Sequence, residues 1–216
     1  MTYVKASVRR PAGNPGNGIQ PKDQLVIYDV DDILSFPQRN EAGVVIEDDI
    51  VMKEGRYAIG IYLTPGTAEI SSNSDGETDA EGYTPSIKFN HPGNQQEIRE
   101  FKTNWLTKKC IVVLRYCSGK PADLIGTPCN PCKLSVSYTG SNESNTNELT
   151  FTQISKGDDI AIYQGTDTLE EPVAVVEAKA TDITYQTDGQ YQLSAGEAKI
   201  AGVTGGSHGS VITLMG

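Results

Sequence analysis

Asn94-Gln95-Gln96-Glu97-Ile98-Arg99-Glu100-Phe101-Lys102-Thr103-Asn104-Trp105-Leu106, followed shortly by Cys110-Ile111-Val112-Val113-Leu114-Arg115-Tyr116, is the stretch that decides the fold. In the first piece Ile98, Phe101, Trp105 and Leu106 recur at three- and four-residue spacing, which lays one apolar stripe along a helix. Asn94 ahead of Glu97 has the spacing of a capping box, so the helix is expected over 94–106. The second piece is almost wholly apolar, the pattern of a strand buried on both faces. Nowhere else does the chain read clearly as helix. The expectation is a mainly β fold, a β-sandwich or partly open barrel with one α-helix packed on it. Ile98, Phe101 and Trp105 should meet Val112 and Leu114 in its core.

Outward from that stretch the chain alternates short strand patterns with turns. Strands are expected over 2–9, 24–28, 56–63 and 83–89, the last with Pro85 suggesting an edge position. Leu134–Thr139 and Leu149–Ile154 form a hairpin with a long polar tip between them, and 159–163 is a further strand. The segments 11–18, 29–49, 69–82 and 121–131 read as irregular or loop. A boundary is expected near 166, dividing a domain over 1–165 from a β-rich extension or arm over 166–216. The extension has strand candidates at 173–176, 183–185, 191–193 and 211–214, a Gly-rich segment over 202–209, and no solenoid-type period.

The 216 residues carry a net charge of −10, with 22 Gly, 11 Pro and 37% hydrophobic residues. A chain of this length buries roughly 70% of its extended surface without disulfides or metal. The acidic balance argues against nucleic-acid binding through phosphate contacts and against an anionic membrane. No apolar run reaches the length of a transmembrane helix. The N-terminus lacks the apolar core of a signal peptide, so synthesis in the cytoplasm is expected.

Chemistry-bearing motifs are sparse. Cys110, Cys117, Cys129 and Cys132 are a candidate zinc set, with Cys129 and Cys132 in a C-x-x-C. Cys110 opens the buried strand, and the plainer reading is structural thiols, including a disulfide once the protein is outside the cell. Ser71–Gly82 has the flavour of a calcium loop but lacks the first and twelfth ligands, which favours a solvated acidic loop. His91 and His208 are the only histidines, and no motif joins nucleophile, base and orienter, so no catalytic residue and no cofactor are expected.

In order, the helix Glu97–Phe101, the strand Ile111–Leu114, Asp123-Leu124-Ile125-Gly126 as a turn, the hairpin Leu134–Gly140 with Glu148–Thr152, and the closing Ile160–Gly165 resemble bacteriophage tail tube proteins. Asp29–Pro37 with Asp48–Lys53 resembles the variants found in Bacteroidetes phages. The resemblance covers roughly 1–165; the remainder departs from the minimal tube pattern. It implies a non-enzymatic structural virion protein, made in the host cytoplasm and located in the tail. Its partners would be copies of itself, in stacked six-fold rings, and other tail proteins. DNA would pass through an acidic lumen without specific binding. A secreted or surface β-sandwich that binds carbohydrate or mediates adhesion is the alternative; it fits the polar loops, but the chain lacks a signal peptide and evident exposed aromatics.

Overall fold

The computed structural model describes residues 6–14 and 16–169, and five strands beyond them. The chain divides into two units, Met1–Leu169 and Glu170–Gly216. The fold is mainly β with one helix.

The first unit runs β1 (Pro21–Asp29), a 3-10 turn at Val30–Asp32, β2 (Ile33–Ser35), β3 (Val45–Ile46), β4 (Val51–Met52), β5 (Ile59–Tyr62), β6 (Glu69–Asp75), β7 (Gly82–Pro92), α1 (Gln96–Trp105), β8 (Cys110–Tyr116), β9 (Ala122–Ile125), β10 (Cys132–Gly140), β11 (Asn145–Gln153) and β12 (Ala161–Tyr163). The main sheet has the order β3-β12-β9-β8-β10-β11-β7-β6, with β1 pairing both β8 and β5. All of its pairings are antiparallel except β12 with β3.

Two cores explain why Cys110–Leu114 does not alternate. One face of β1 and β8 sends Leu25, Ile27, Val112 and Leu114 into a cluster shared with Ile87, Phe89, Leu149, Phe151 and Ile98. The opposite face sends Val26, Tyr28, Ile111 and Val113 into a second cluster with Ile46, Ile50, Leu124 and Tyr163. A strand with core on both sides has no solvent face to make polar, so each of its first five residues is buried.

The helix closes the first core. Ile98 is buried, while Phe101 and Trp105 are half-buried, packed on the cluster that holds Val112 and Leu114 and stacked on each other at 5.8 Å. Leu106 is exposed and lies just past the helix. The expected Asn94 cap is not formed. The N-cap is Gln95, whose side chain makes no capping bond. The Asn94 side chain instead accepts from Lys102 Nζ at 3.2 Å, and its carbonyl accepts from Arg99 Nε at 2.9 Å. Lys102 thus occupies the side-chain oxygen that a capping box would use.

Several loop expectations give way to strands. Glu69–Asp75 is β6, paired along its length with β7, because the register sets Ser71 beside Ser86 and Ile70 beside Ile87. Its polar side chains serve a half-exposed strand, a signal easily mistaken for loop. Within 121–131, Ala122–Ile125 is β9, so Asp123–Ile125 is strand and only Gly126, at φ +91, turns. β7 is interior, not an edge, but β11 pairing stops at Ser86, so Pro85 has a strand neighbour on one side only. The hairpin tip shortens to Ser141–Ser144. The segment 29–49 is ordered: Arg39 donates to Gly43 O and Asp159 O, and Ile46 is fully buried. Residues 6–10 hold no strand, and residues 2–5 of the expected N-terminal strand lie outside the described residues.

The second unit contributes β13 (Ala174–Val176), β14 (Asp182–Thr184), β15 (Gly189–Leu193), β16 (Gly202–Thr204) and β17 (Ile212–Met215). β13-β15-β17 form one sheet and β14-β16 another, and every pairing is parallel. Successive strands alternate between the two sheets, the pattern of a wound coil with a return of roughly 20 residues. Val175 lies beside Gln192, Ile183 beside Val203 and Tyr191 beside Leu214. The return differs at each pass, so no fixed period was visible in the sequence. β16 falls in the Gly-rich segment, and His208 lies outside the described residues.

Candidate assembly surface

The hairpin β10–β11 continues through β7 to β6 as a four-stranded antiparallel sheet with an unbroken register. Its inner face carries Leu134, Leu149, Phe151, Ile87 and Phe89 into the first core. Its outer face follows from the same alternation. Lys133, Ser135 and Ser137 on β10 stand beside Thr152, Thr150 and Glu148 on β11, and the rows run on through Ser86, Lys88 and Asn90 on β7. Ser71 and Glu69 on β6 extend two of these rows. This face is rich in hydroxyls and charge-balanced, with Lys88 paired to Glu69 at 3.5 Å. The acidic residues gather elsewhere, in the turns around Asp31-Asp32, Asp48-Asp49 and Asp75–Glu81.

Both ends of this sheet carry open main-chain edges among the described residues. β6 pairs only with β7. β10 meets β8 at a single register pair, Cys132 with Cys110, so Lys133–Gly140 has β11 on one side and no strand on the other. An open edge of this length is a template for another strand. Beside it lies a shallow groove lined by Leu106, Thr107, Leu134 and Val136. Asn147, fully buried near the far end of the hairpin, ties β11 to the helix: its Nδ2 donates to Gly93 O at 2.5 Å and its Oδ1 accepts from Lys102 Nζ at 2.6 Å. Lys102 also lies 5.1 Å from the centre of the Tyr138 ring.

The cysteines separate into a pair and two singles. Cys110 and Cys132 are fully buried cross-strand partners, with Cys110 Sγ 3.4 Å from Cys132 O. Burial pushes the Cys110 thiol up to about 12 and raises Cys132 as well. Cys117 and Cys129 are exposed. Among the described residues no three His, Cys, Asp or Glu side chains gather as a metal site, so the four-thiolate set is not assembled. Ser71–Asp75 of the calcium-like loop are strand residues, and Asp75 pairs with Lys156 at 3.5 Å. Tyr57, Tyr62, Tyr83 and Tyr138 are exposed, contrary to the sequence expectation of few surface aromatics, and no aromatic pair joins two of them.

A second cluster fixes the end of the first unit. The Arg115 Nε–Asp167 ion pair, a 2.6 Å hydrogen bond from Tyr28 to Asp167, and Arg115 5.5 Å from the Tyr163 ring centre hold residues 165–167 against β1, β8 and β12. The sequence offered no sign of this cluster, because its members lie far apart along the chain and in no motif.

No protein-family model, no curated protein and no solved structure matches the chain.

Proposed function

We propose that this chain is a structural subunit of a bacteriophage tail tube or a related tube-like virion part, which closes with copies of itself into rings that stack as a conduit for DNA. The observation that carries the reading is the β10-β11-β7-β6 sheet, with an open edge at each end, an apolar inner face and a polar outer face. Pairing between the β6 edge of one copy and the β10 edge of the next satisfies both rows of main-chain groups and leaves neither edge of this four-stranded sheet free in a closed ring. A wall of Ser, Thr and Asn with balanced Lys and Glu gives DNA phosphates no run of cations to hold. The acidic turns add to the net charge without forming this wall. No catalytic machinery belongs to this role.

Negative-stain microscopy of the purified full chain tests the reading. Rings or tubes of uniform diameter are expected. A chain that stays monomeric at high concentration and binds glycans on an array overturns it in favour of the adhesion alternative.

A further inference from the structure

Cys132 and Cys110 are the only register pair that joins β8 to β10. Directly opposed residues of antiparallel strands have Cα atoms about 4.5–5.5 Å apart and side chains on the same face. That falls within the ~4.4–6.8 Å window of disulfides. Both side chains enter the same core cluster and both are fully buried. Gly126 keeps the space beside them open: a Cβ there would stand 3.2 Å from Cys132 Sγ, and its φ of +91 already favours glycine.

We infer that Cys110 and Cys132 are a disulfide-forming pair that locks the two halves of the main sheet together when the protein meets an oxidising medium. On one side of the bond lie β8, β9, β12 and β3; on the other lie β10, β11, β7 and β6. The oxidant is a small-molecule disulfide such as glutathione disulfide. One cysteine thiolate, its proton released to solvent, attacks a sulfur of that disulfide and expels one glutathione thiolate. The second cysteine thiolate then attacks the cysteine sulfur of the mixed disulfide and expels the other glutathione. Two cysteine thiols become one disulfide, and one glutathione disulfide becomes two glutathione thiols, which take up the two protons. Because both sulfurs are buried, exchange proceeds when the single β8–β10 rung opens locally or before it closes in folding. A particle that works outside the cell meets such conditions, whereas the cytosol keeps the pair reduced.

The test uses the purified full chain in reduced and in oxidised glutathione, quenched with acid, denatured, alkylated and peptide-mapped by mass spectrometry. In oxidised glutathione a peptide pair joined through Cys110 and Cys132 is expected, with both positions lost to alkylation. The thermal midpoint should rise by roughly 5–10 °C over the reduced protein. Cys129→Ser, an exposed change, should form the same bond. Continued alkylation of Cys110 and Cys132 in oxidised glutathione, or a bond between Cys129 and Cys132, overturns the inference. None of these readouts depends on assembly, so failure to form tubes leaves the pairing standing.

Discussion

Tyr28 donates a 2.6 Å hydrogen bond to Asp167 across 139 positions of chain. The same carboxylate pairs with Arg115, whose Nη2 also donates to Gly165 O at 2.7 Å. Burial, reinforced by the bond to Asp167, pushes the Tyr28 phenol well above its ordinary range, so it is a permanent donor. Asp167 thus holds the last residues of the first unit onto its central strands.

Asp167→Ala leaves Arg115 without its counter-ion and Tyr28 without its acceptor. The expected loss is about 3 kcal/mol in chemical denaturation, because an unpaired buried charge costs more than the pair contributes. Arg115→Met combined with Asp167→Leu should lose less than Asp167→Ala alone. Equal losses for the two proteins would show that the pair acts only through packing.

Asp123 gives the fold a pH dependence. Burial raises its carboxyl above the ordinary aspartate value, the Tyr116 hydroxyl that donates to it pulls the other way, and Asp159 raises it further. The folded chain therefore holds this proton more tightly than the unfolded chain. The stability this contributes is complete below the ordinary value of about 3.9 and is lost as pH rises through the folded value. Asp123→Asn keeps an acceptor for Tyr116 and removes the half-buried charge. Urea midpoints should show it more stable than wild type at pH 7, with the gain vanishing toward about pH 4. A variant that is less stable at pH 7 would mean the carboxylate is better solvated than its burial implies.

The helix stripe was legible from spacing alone, but the depth of each residue was not. Ile98 is 4% exposed, whereas Trp105 sits half-buried on Phe101 at the mouth of the core. Ile98→Ala should cost about 2–4 kcal/mol, and Trp105→Ala roughly 1–2 kcal/mol, less than a fully buried Trp. Trp105 emission should lie between the buried and the solvated extremes. Fully red-shifted emission would put the helix off the sheet.

The strands with one clear period, or with apolar residues on both faces, were legible: β1, β5, β8 and the β10–β11 hairpin. β6 and β9 were not. β6 is Ser/Asn/Asp-rich because its neighbour β7 supplies the register while only Ile70 among its side chains packs on the first core, so its composition resembles a loop. β9 is short and sits between Pro121 and Gly126. The Cys110–Cys132 opposition could not be seen in the sequence either, since it depends on a register between strands that the chain visits separately.

Those two kinds of irregular segment now separate in a protease. Residues 11–14 and 16–18 are exposed, whereas 29–49 holds a 3-10 turn, β2 and β3 against the second core. Limited proteolysis of monomer should therefore cut within 11–18 and spare 29–49. Early cleavage at 38–44 would mean that Arg39's bonds to Gly43 and Asp159 do not hold that turn.

The open edge of β10 gives the sharpest test of assembly. In an antiparallel strand successive residues point their main-chain groups alternately to one neighbour and the other. Of Ser137 and Tyr138, then, one points its N–H toward β11 and the other toward the open side, both lying beyond the Cys132 pairing with β8. Proline removes that N–H and blocks an incoming strand. Of Ser137→Pro and Tyr138→Pro, one should destabilise the monomer by breaking a bond to β11. The other should fold with a near-normal thermal midpoint yet fail to form rings, since the edge it alters has no strand partner among the described residues. If the well-folded variant still assembles, β10 is not the edge that joins copies, and the wall must close through β6 or β5.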